Sequence, residues 1–153
     1  MLRIIQDSRE QNYLFPRDKV LHRKLDEGDY SSVLLEDHLT IERKSPSDLY
    51  STLASGHQRF KREIQRCEQK NKTMIIAVEC RQAEFLAGEW APLKLKRTKN
   101  FRKRLLSISK MISTMEKKYE HITFRWLPNR TRMKQFILLQ LCEAEYEFKK
   151  NNI

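Results

Sequence analysis

The sequence has 153 residues and contains few cysteines, histidines and glycines. Its three cysteines, Cys67, Cys80 and Cys142, show no C-x-x-C spacing, and its four histidines follow no ligand pattern. We therefore expect neither structural zinc nor a disulfide framework. We predict an intracellular protein, in the cytoplasm or nucleoid, or in the nucleus if the source is eukaryotic. With only three glycines, the chain also has no glycine-rich phosphate loop.

Long apolar segments are missing as well. The longest apolar stretches, around residues 74–78 and 136–139, are far too short to span a bilayer. Residues 1–5 do not form the long apolar run of a signal peptide. We therefore expect no membrane partner.

The charge of the chain is strongly unbalanced. Lysine and arginine outnumber aspartate and glutamate by 31 to 20, which gives a formal net charge of +11 at pH 7. Such a surplus favours polyanionic partners, of which nucleic acid is the commonest. An anionic membrane surface is the alternative, but no segment forms a basic amphipathic anchor. The length indicates one domain, residues 1–153, large enough to bury a core.

Two carboxylates and a lysine occur at a spacing that is typical of a catalytic site. Asp29 is predicted to close one strand, and Glu42 and Lys44 lie two residues apart on the next, so their side chains share one face of the sheet. Carboxylates bind Mg²⁺ or Mn²⁺, which polarises a phosphate and helps to generate hydroxide, and a lysine neutralises charge on the phosphoryl oxygens. A solvated pattern of cross-strand charges is the alternative explanation of Glu-x-Lys.

Strands and helices alternate along the chain. Strands are predicted at residues 2–6, 19–25, 33–35, 39–44, 73–79 and 122–126, and residues 33–41 are predicted to form a hairpin. Helices are predicted from residue 46 to Gly56 and at 57–70, 101–118 and 131–149, with residues 82–100 irregular. This order predicts an α/β fold with a mixed central sheet flanked by helices.

Ser45 begins the first helix as its cap, with Pro46 in the first turn and Asp48 three residues after the cap. Asp48 is therefore either a capping residue or a catalytic one. The last helix, residues 131–149, is apolar over more than one face, which indicates deep burial or contact with a partner chain.

Two basic segments are candidate contacts for a phosphate backbone, with solvated charge as the alternative. The first is a stripe on the second helix, made of Arg59, Arg62 and Arg66. The second is a run of seven cations, Lys94, Lys96, Arg97, Lys99, Arg102, Lys103 and Arg104. Trp90 and Phe101 flank this run, and they either stack on an exposed base or lie in the core.

The motif residues resemble those of a known family. Gly28-Asp29, Glu42-Arg43-Lys44 and Asp48 match the signature GD…ERKxxxD of the XPF nuclease-domain family. Residues 7–10, Asp-Ser-Arg-Glu, are similar to that family's opening Asp-x-Arg-Glu, and residues 74–79 resemble its next core strand. The family belongs to the restriction-endonuclease-like superfamily with its PD-(D/E)xK core, so the resemblance implies a restriction-endonuclease-like mixed sheet.

The resemblance also implies an activity and roles for residues. We expect an endonuclease that depends on Mg²⁺ or Mn²⁺ and cuts branched, flap or fork DNA during repair or recombination. Asp29 and Glu42 are the expected metal ligands, with the Arg43 carbonyl as an extra one, and Lys44 the expected stabiliser of phosphoryl charge. The Arg43 side chain pairs with a carboxylate or contacts DNA, and Asp48 positions the site. Asp7 and Glu10 approach the metal, as ligands of a second ion, unless Asp7 is only a turn former.

Members of the family dimerise through the nuclease domain, so the resemblance favours a homodimer that uses the last helix. The chain has no helix-hairpin-helix modules and no helicase, as in stand-alone versions from phages and mobile elements, and a helicase or another replication or recombination protein stays open as a partner. It carries His57 where the family usually has Arg. Two alternatives remain: a non-catalytic DNA-binding or scaffolding subunit, and a nuclease that acts on RNA or on simple DNA ends.

Overall fold

The computed structural model describes residues 1–55 and 57–152. The strands in this part of the chain are β1 (Ile4–Gln6), β2 (Leu21–His22), β3 (Tyr30–Ser32), β4 (Leu39–Lys44), β5 (Thr73–Val78) and β6 (Ile122–Trp126). The helices are α1 (Pro46–Ala54), α2 (His57–Gln69), α3 (Gln82–Ala87), α4 (Leu93–Lys96), α5 (Phe101–Lys118) and α6 (Arg130–Asn151).

The strands form one mixed sheet in the order β2-β1-β3-β4-β5-β6. Strand β3 is antiparallel to both of its neighbours, β1 and β4, whereas the pairs β1–β2, β4–β5 and β5–β6 are parallel. The parallel pairs require crossover connections, which α1 and α2 supply between β4 and β5, and α3 to α5 between β5 and β6. The predicted α/β fold with a mixed sheet between helices is confirmed.

Helices cover both faces of the sheet. Side chains alternate between the two faces along each strand, so apolar strands present apolar side chains to both layers of helices. On β5, Met74, Ile76 and Val78 pack into a core with residues of α1, α2 and α5. The intervening Ile75 and Ala77 face the opposite side and pack with α6. Among the described residues, no helix is both long and apolar enough to cross a membrane.

Two predictions about the strand that carries Asp29 are wrong. Asp29 precedes β3 instead of closing a strand, and residues 33–35 form part of a turn, not of a strand. The strand is the segment Tyr30–Ser32, where Ser31 is buried and its Oγ donates a hydrogen bond of 2.6 Å to the Leu39 carbonyl. The apolar residues of the turn suggested a strand, but only Leu35 of the three is buried.

Other boundaries also differ from the predictions. The strand predicted at residues 19–25 is reduced to β2, preceded by a single 3₁₀ turn at Arg17–Lys19. The predicted end of the first helix, Gly56, lies outside the described residues, and α1 ends at Ala54. Residues 82–100 are not wholly irregular, because they contain α3 and α4. The predictions for α2, α5, β5, β6 and α6 are confirmed to within two residues.

Candidate active site

The turn before β3 places Asp29 against β4. Gly28 has φ 75°, and a Cβ atom at this position would lie 2.0 Å from Oγ1 of Thr40, so the turn requires glycine. The Asp29 amide donates to the Ile41 carbonyl at 2.9 Å. Oδ2 of Asp29 accepts a hydrogen bond of 2.8 Å from the Arg43 amide. The carboxylate is therefore held against the C-terminal half of β4, which carries Glu42 and Lys44.

Glu42 and Lys44 point into the same open cleft, as their spacing on β4 predicts. The cleft has a volume of about 400 Å³. Its lining residues come from β4, α1 and α2: Glu42, Lys44, Ser51, Thr52, Arg59, Phe60 and Glu63. Nζ of Lys44 lies 3.6 Å from Oε1 of Glu42 and donates to Oγ1 of Thr52 at 3.3 Å. The lysine head is thus fixed beside the carboxylate.

The carboxylates of the site are crowded by like charge. Burial raises the pKa of Asp29 to about 7, with the charge of Glu10 adding to the effect, against the opposing Arg43 amide and Lys44. Burial also raises the pKa of Glu42 well above its usual value, and the charges of Asp29 and Glu63 raise it further, although Lys44 opposes them. One lysine does not neutralise this group of acids, so a bound cation would relieve the repulsion.

The donor set fits a hydrated divalent cation better than a closed protein cage. Within residues 1–55 and 57–152, no group of three or more acidic, histidine or cysteine side chains is arranged to enclose a metal ion. Mg²⁺ usually keeps several waters and takes only one or two carboxylates, together with oxygens of the substrate phosphate. Asp29 and Glu42 meet that requirement, and the cleft leaves space for water and phosphate.

Arg43 lies on the other face of β4 and pairs with a carboxylate, as expected. Its Nε and Nη2 both donate to Oε1 of Glu79, at 3.1 and 3.0 Å, and its Nη1 donates to the Asn12 carbonyl at 2.6 Å. Glu10 is 3.9 Å away, and its buried Oε2 has no hydrogen-bond partner among the described residues. Burial raises the pKa of Glu10, against the attraction of Arg43. These residues line a second cleft with Asp48.

Asp48 is exposed, and it lies in this second cleft instead of beside Glu42 and Lys44. Its amide donates to the Ser45 side chain at 3.0 Å, so the predicted cap at the start of α1 is confirmed. A role in the chemistry would have to act from the Arg43 side of the site.

Asp7 has no free oxygen for a metal ion. Oδ1 accepts from the Arg9 amide and from its Nε, and Oδ2 accepts from Nη2 of Arg9 and from the Leu25 amide. Burial alone would raise the pKa of Asp7, but these hydrogen bonds hold it below its usual value. The structure therefore supports the turn-forming interpretation, and we leave Asp7 out of the ligand set.

The cleft contains two residues that the sequence analysis did not single out. Thr52 of α1 accepts the hydrogen bond from Lys44. Glu63 of α2 faces Glu42 across the cleft, and its Oε1 accepts a hydrogen bond of 3.2 Å from the Gly28 amide. Glu63 follows Arg59 by four residues on a basic helix, where an acid is ordinarily read as an ion-pair partner. No local signal distinguished it from such a partner.

The basic stripe of α2 divides into three environments. Arg59 lines the cleft, Arg62 is exposed to solvent, and Nε of Arg66 lies 3.8 Å from the buried carboxylate of Glu27. The structure therefore brings Arg59 to the candidate site and engages Arg66 elsewhere.

The seven cations of the run Lys94–Arg104 lie on the surface. Its members occupy α4, the following connection and the first turn of α5, and all seven cations are exposed. Among the described residues, none of them lies within 4.0 Å of a carboxylate. Phe101 is buried, and Trp90 stacks on Phe85 at 5.4 Å, so these two rings belong to the core.

The strand order and the crossover helices define a mixed α/β fold. Two solved structures share it. One is XPF from Aeropyrum pernix, with a TM-score of 0.68 and 20% identity over 98% of this chain and 68% of that chain. The other is XPF from Aeropyrum pernix in complex with DNA, with a TM-score of 0.66 and 21% identity over 96% of this chain and 66% of that chain.

The chain therefore has the XPF-type nuclease fold and spans about two thirds of the length of those proteins. No family model matches the sequence, and no curated protein matches it.

Proposed function

We propose that the protein is a DNA endonuclease that depends on Mg²⁺ or Mn²⁺ and cuts branched, flap or fork DNA. The observation that carries the proposal is that Glu42 and Lys44 line one open cleft, with the charge of Asp29 acting on Glu42 and the Arg43 amide holding Asp29 against β4. The fold is shared with an XPF that was solved in complex with DNA. Acids that repel one another beside a single lysine cost folding free energy. Stability therefore does not explain this arrangement, whereas binding of a cation does.

Each residue of the candidate site has a distinct part in this proposal. Asp29 and Glu42 would hold the cation, which would supply polarisation of the scissile phosphate and a lowered pKa for an attacking water. Lys44 donates to a phosphoryl oxygen as negative charge develops there, from a position fixed by Glu42 and Thr52. Arg43 braces the site through Glu79 and Glu10, and its carbonyl is a candidate further ligand. Asp48 positions the Arg43 side of the site.

The proposed DNA path uses cations that have no acidic partner among residues 1–55 and 57–152. Arg102, Lys103 and Arg104 occupy the first turn of α5, which contains no acidic residue. Cations at a helix N-terminus are unfavourable by several tenths of a kcal/mol each, whereas a phosphate there is bound by amides and by the side chains together. Arg59 lines the cleft itself, and Arg62 is exposed on the same helix.

We further propose that the protein forms a homodimer through α6. One face of α6 is filled by the sheet, through Met133, Ile137 and Leu141. A different face leaves Leu139 62% exposed and Tyr146 67% exposed, which is unusual for two large apolar side chains on one helix. A second copy of the chain would cover this face.

One experiment tests the proposed activity. The protein is incubated with Mn²⁺ and labelled flap, fork, four-way, single-stranded and RNA substrates, with Glu42→Gln as the matched control. We expect cleavage of branched DNA by the wild type and none by the variant. If the protein cleaves only RNA or only simple DNA ends, that substrate replaces branched DNA in the proposal. Binding of DNA without any cleavage would instead indicate a scaffolding subunit.

A further inference from the structure

We propose that Glu63 supports the metal site from outside its set of direct ligands: it holds the Asp29 turn in place and adds its charge to that of Glu42. This inference rests on the proposed function and concerns the same cleft. Glu63 lies on α2, away from the residues of the nuclease motif, and only the packing of α2 against the sheet brings it to the site.

The first part of the argument is a contact. Oε1 of Glu63 accepts a hydrogen bond of 3.2 Å from the Gly28 amide, which precedes Asp29. Gly28 has φ 75° and sits against Thr40, so the direction of its amide is fixed by the turn. The hydrogen bond therefore ties α2 to the residue next to Asp29. Glu63 is in this respect a positioning residue for the Asp29 carboxylate.

The second part is charge. Glu63 lines the cleft together with Glu42 and Lys44. Its Oε2 has no donor in the part of the chain that the structure describes, and no lysine or arginine there lies within 4.0 Å of its carboxylate. Oε2 of Glu63 can therefore accept a hydrogen bond from a molecule bound in the cleft. Because the described side chains do not enclose a metal ion, this oxygen is suited to a water of the hydrated cation.

The alternative explanations of Glu63 are weaker. A surface acid on a basic helix normally pairs with an arginine three or four residues away, yet Glu63 makes no such pair with Arg59 or Arg66. A purely structural acceptor for the Gly28 amide needs no charge, and glutamine would serve equally well. Charge and hydrogen bonding are therefore separable by one substitution.

The experiment compares Glu63→Gln with Glu68→Gln. Glu68 lies on the same helix, is half-buried, and its Oε1 accepts a hydrogen bond of 2.9 Å from the His121 amide, but it does not line the cleft. Both variants lose one charge and keep an acceptor. Binding of Mn²⁺ to the protein is measured by titration calorimetry, and the melting temperature is measured without metal as a check on folding.

We expect Glu63→Gln to weaken Mn²⁺ binding about tenfold or more, as is typical when a residue that supports a metal site is changed. Glu68→Gln should bind Mn²⁺ like the wild type, and both variants should melt like the wild type. Raising the Mn²⁺ concentration should restore cleavage by Glu63→Gln but not by Glu42→Gln. Wild-type Mn²⁺ affinity in Glu63→Gln would overturn the inference.

The same titration separates this inference from the proposed function. If Glu42→Gln abolishes Mn²⁺ binding while Glu63→Gln does not change it, the metal site stands and only the role of Glu63 is overturned. If the wild type binds no Mn²⁺, or if Glu42→Gln binds it as well as the wild type, the proposed metal site itself is overturned, and the role of Glu63 with it.

Discussion

Two groups of acids pack against α2, and they differ in how completely neighbouring cations balance their charge. Near the C-terminal end of α2, Glu27 is 1% exposed and its carboxylate meets Lys70 at 2.6 Å, Lys72 at 3.2 Å and Arg66 at 3.8 Å. Beside the N-terminal half of α2, Glu42 is surrounded by Asp29 and Glu63, with Lys44 as the cation at 3.6 Å.

The pKa shifts follow this difference. Burial alone would raise the pKa of Glu27, but the hydrogen bonds of Lys70 and Lys72 hold it below its usual value. Burial and like charge both raise the pKa of Glu42. A buried acid with sufficient cations supports the fold, whereas a buried acid left among other acids weakens the fold unless it binds a cation. The contrast separates a structural carboxylate from a candidate functional one without reference to any relative.

The largest expected effect is on catalysis. Glu42→Gln should reduce cleavage at least about a thousandfold, equivalent to about 4 kcal/mol of transition-state stabilisation. DNA affinity without metal should change little, and the melting temperature should not fall, because the substitution removes repulsion from Asp29 and Glu63. Steady-state cleavage, gel-shift titration and calorimetry measure the three quantities. Unchanged cleavage would remove Glu42 from the active site.

The same substitution at the other acid should have the opposite effect on stability. Glu27→Gln leaves Lys72, which is 4% exposed, without a counter-charge, and should lower the free energy of unfolding by about 3 kcal/mol. The protein that remains folded should still cleave DNA. Urea unfolding at pH 7.5 measures the change. A loss as small as that of an exposed pair, below about 1 kcal/mol, would show that the Glu27 cluster is not structurally important.

The dependence of stability on pH should separate the two groups as well. Because the pKa of Asp29 in the fold is about 7, the metal-free protein binds an extra proton relative to the unfolded chain. Its stability should therefore fall as pH rises from about 4 to about 7, by up to about 1.4 kcal/mol per unit. The lowered pKa of Glu27 acts at the acid end, where stability is lost as pH falls below about 4.5.

Melting curves from pH 4 to 9, with and without Mn²⁺, measure this dependence. Mn²⁺ should stabilise the protein more at pH 8 than at pH 6, because metal ligands must be deprotonated. The variant Asp29→Asn should show a smaller decline between pH 4 and 7, and the part that remains comes from the raised pKa of Glu42. A wild type whose stability is flat over that range would contradict the crowding of charge at the site.

The cations of the protein can be compared in the same manner. Lys70 and Lys72 are engaged by Glu27, whereas the run Lys94–Arg104 has no acidic partner within the described residues. Changing Lys96, Arg97, Lys99 and Arg102 together to Ala should reduce the slope of log affinity against log salt by up to about 3.5 units. Binding should weaken for all DNA sequences alike. An unchanged slope would shift the DNA path to Arg59 and Arg62.

The smallest change in stability is expected on α6. Leu139→Glu places a charge on an exposed position and should alter the free energy of unfolding by less than about 0.5 kcal/mol, yet it should convert a dimer to a monomer. Sedimentation at micromolar concentration measures the state, and Leu106→Glu, which is 63% exposed on α5, is the control. A wild-type monomer would remove the dimer from the proposal.

The sequence by itself determined the elements whose signals are local. Helix α5 and strand β6 have the predicted bounds, because apolar spacing along a few turns or a few residues defines them. The cap at Ser45 follows from adjacent residues, and the shared face of Glu42 and Lys44 follows from the period of a strand. Strand β3 was misplaced because Tyr30 is its single apolar residue, and the buried Ser31 and Ser32 that follow carry no apolar signal.

Only the tertiary structure decided which acids are satisfied and which are not. Asp7 and Glu10 stand in one short motif, yet Asp7 is saturated by Arg9 and Leu25 while Glu10 keeps a buried oxygen without a partner among the described residues. The partners of an acid can lie far along the chain, as Gly28 and Glu63 do at a separation of 35 residues. The spacing of residues along a helix or strand determines the face from which a side chain projects. The electrostatic environment of that side chain is set by the other elements that pack against it.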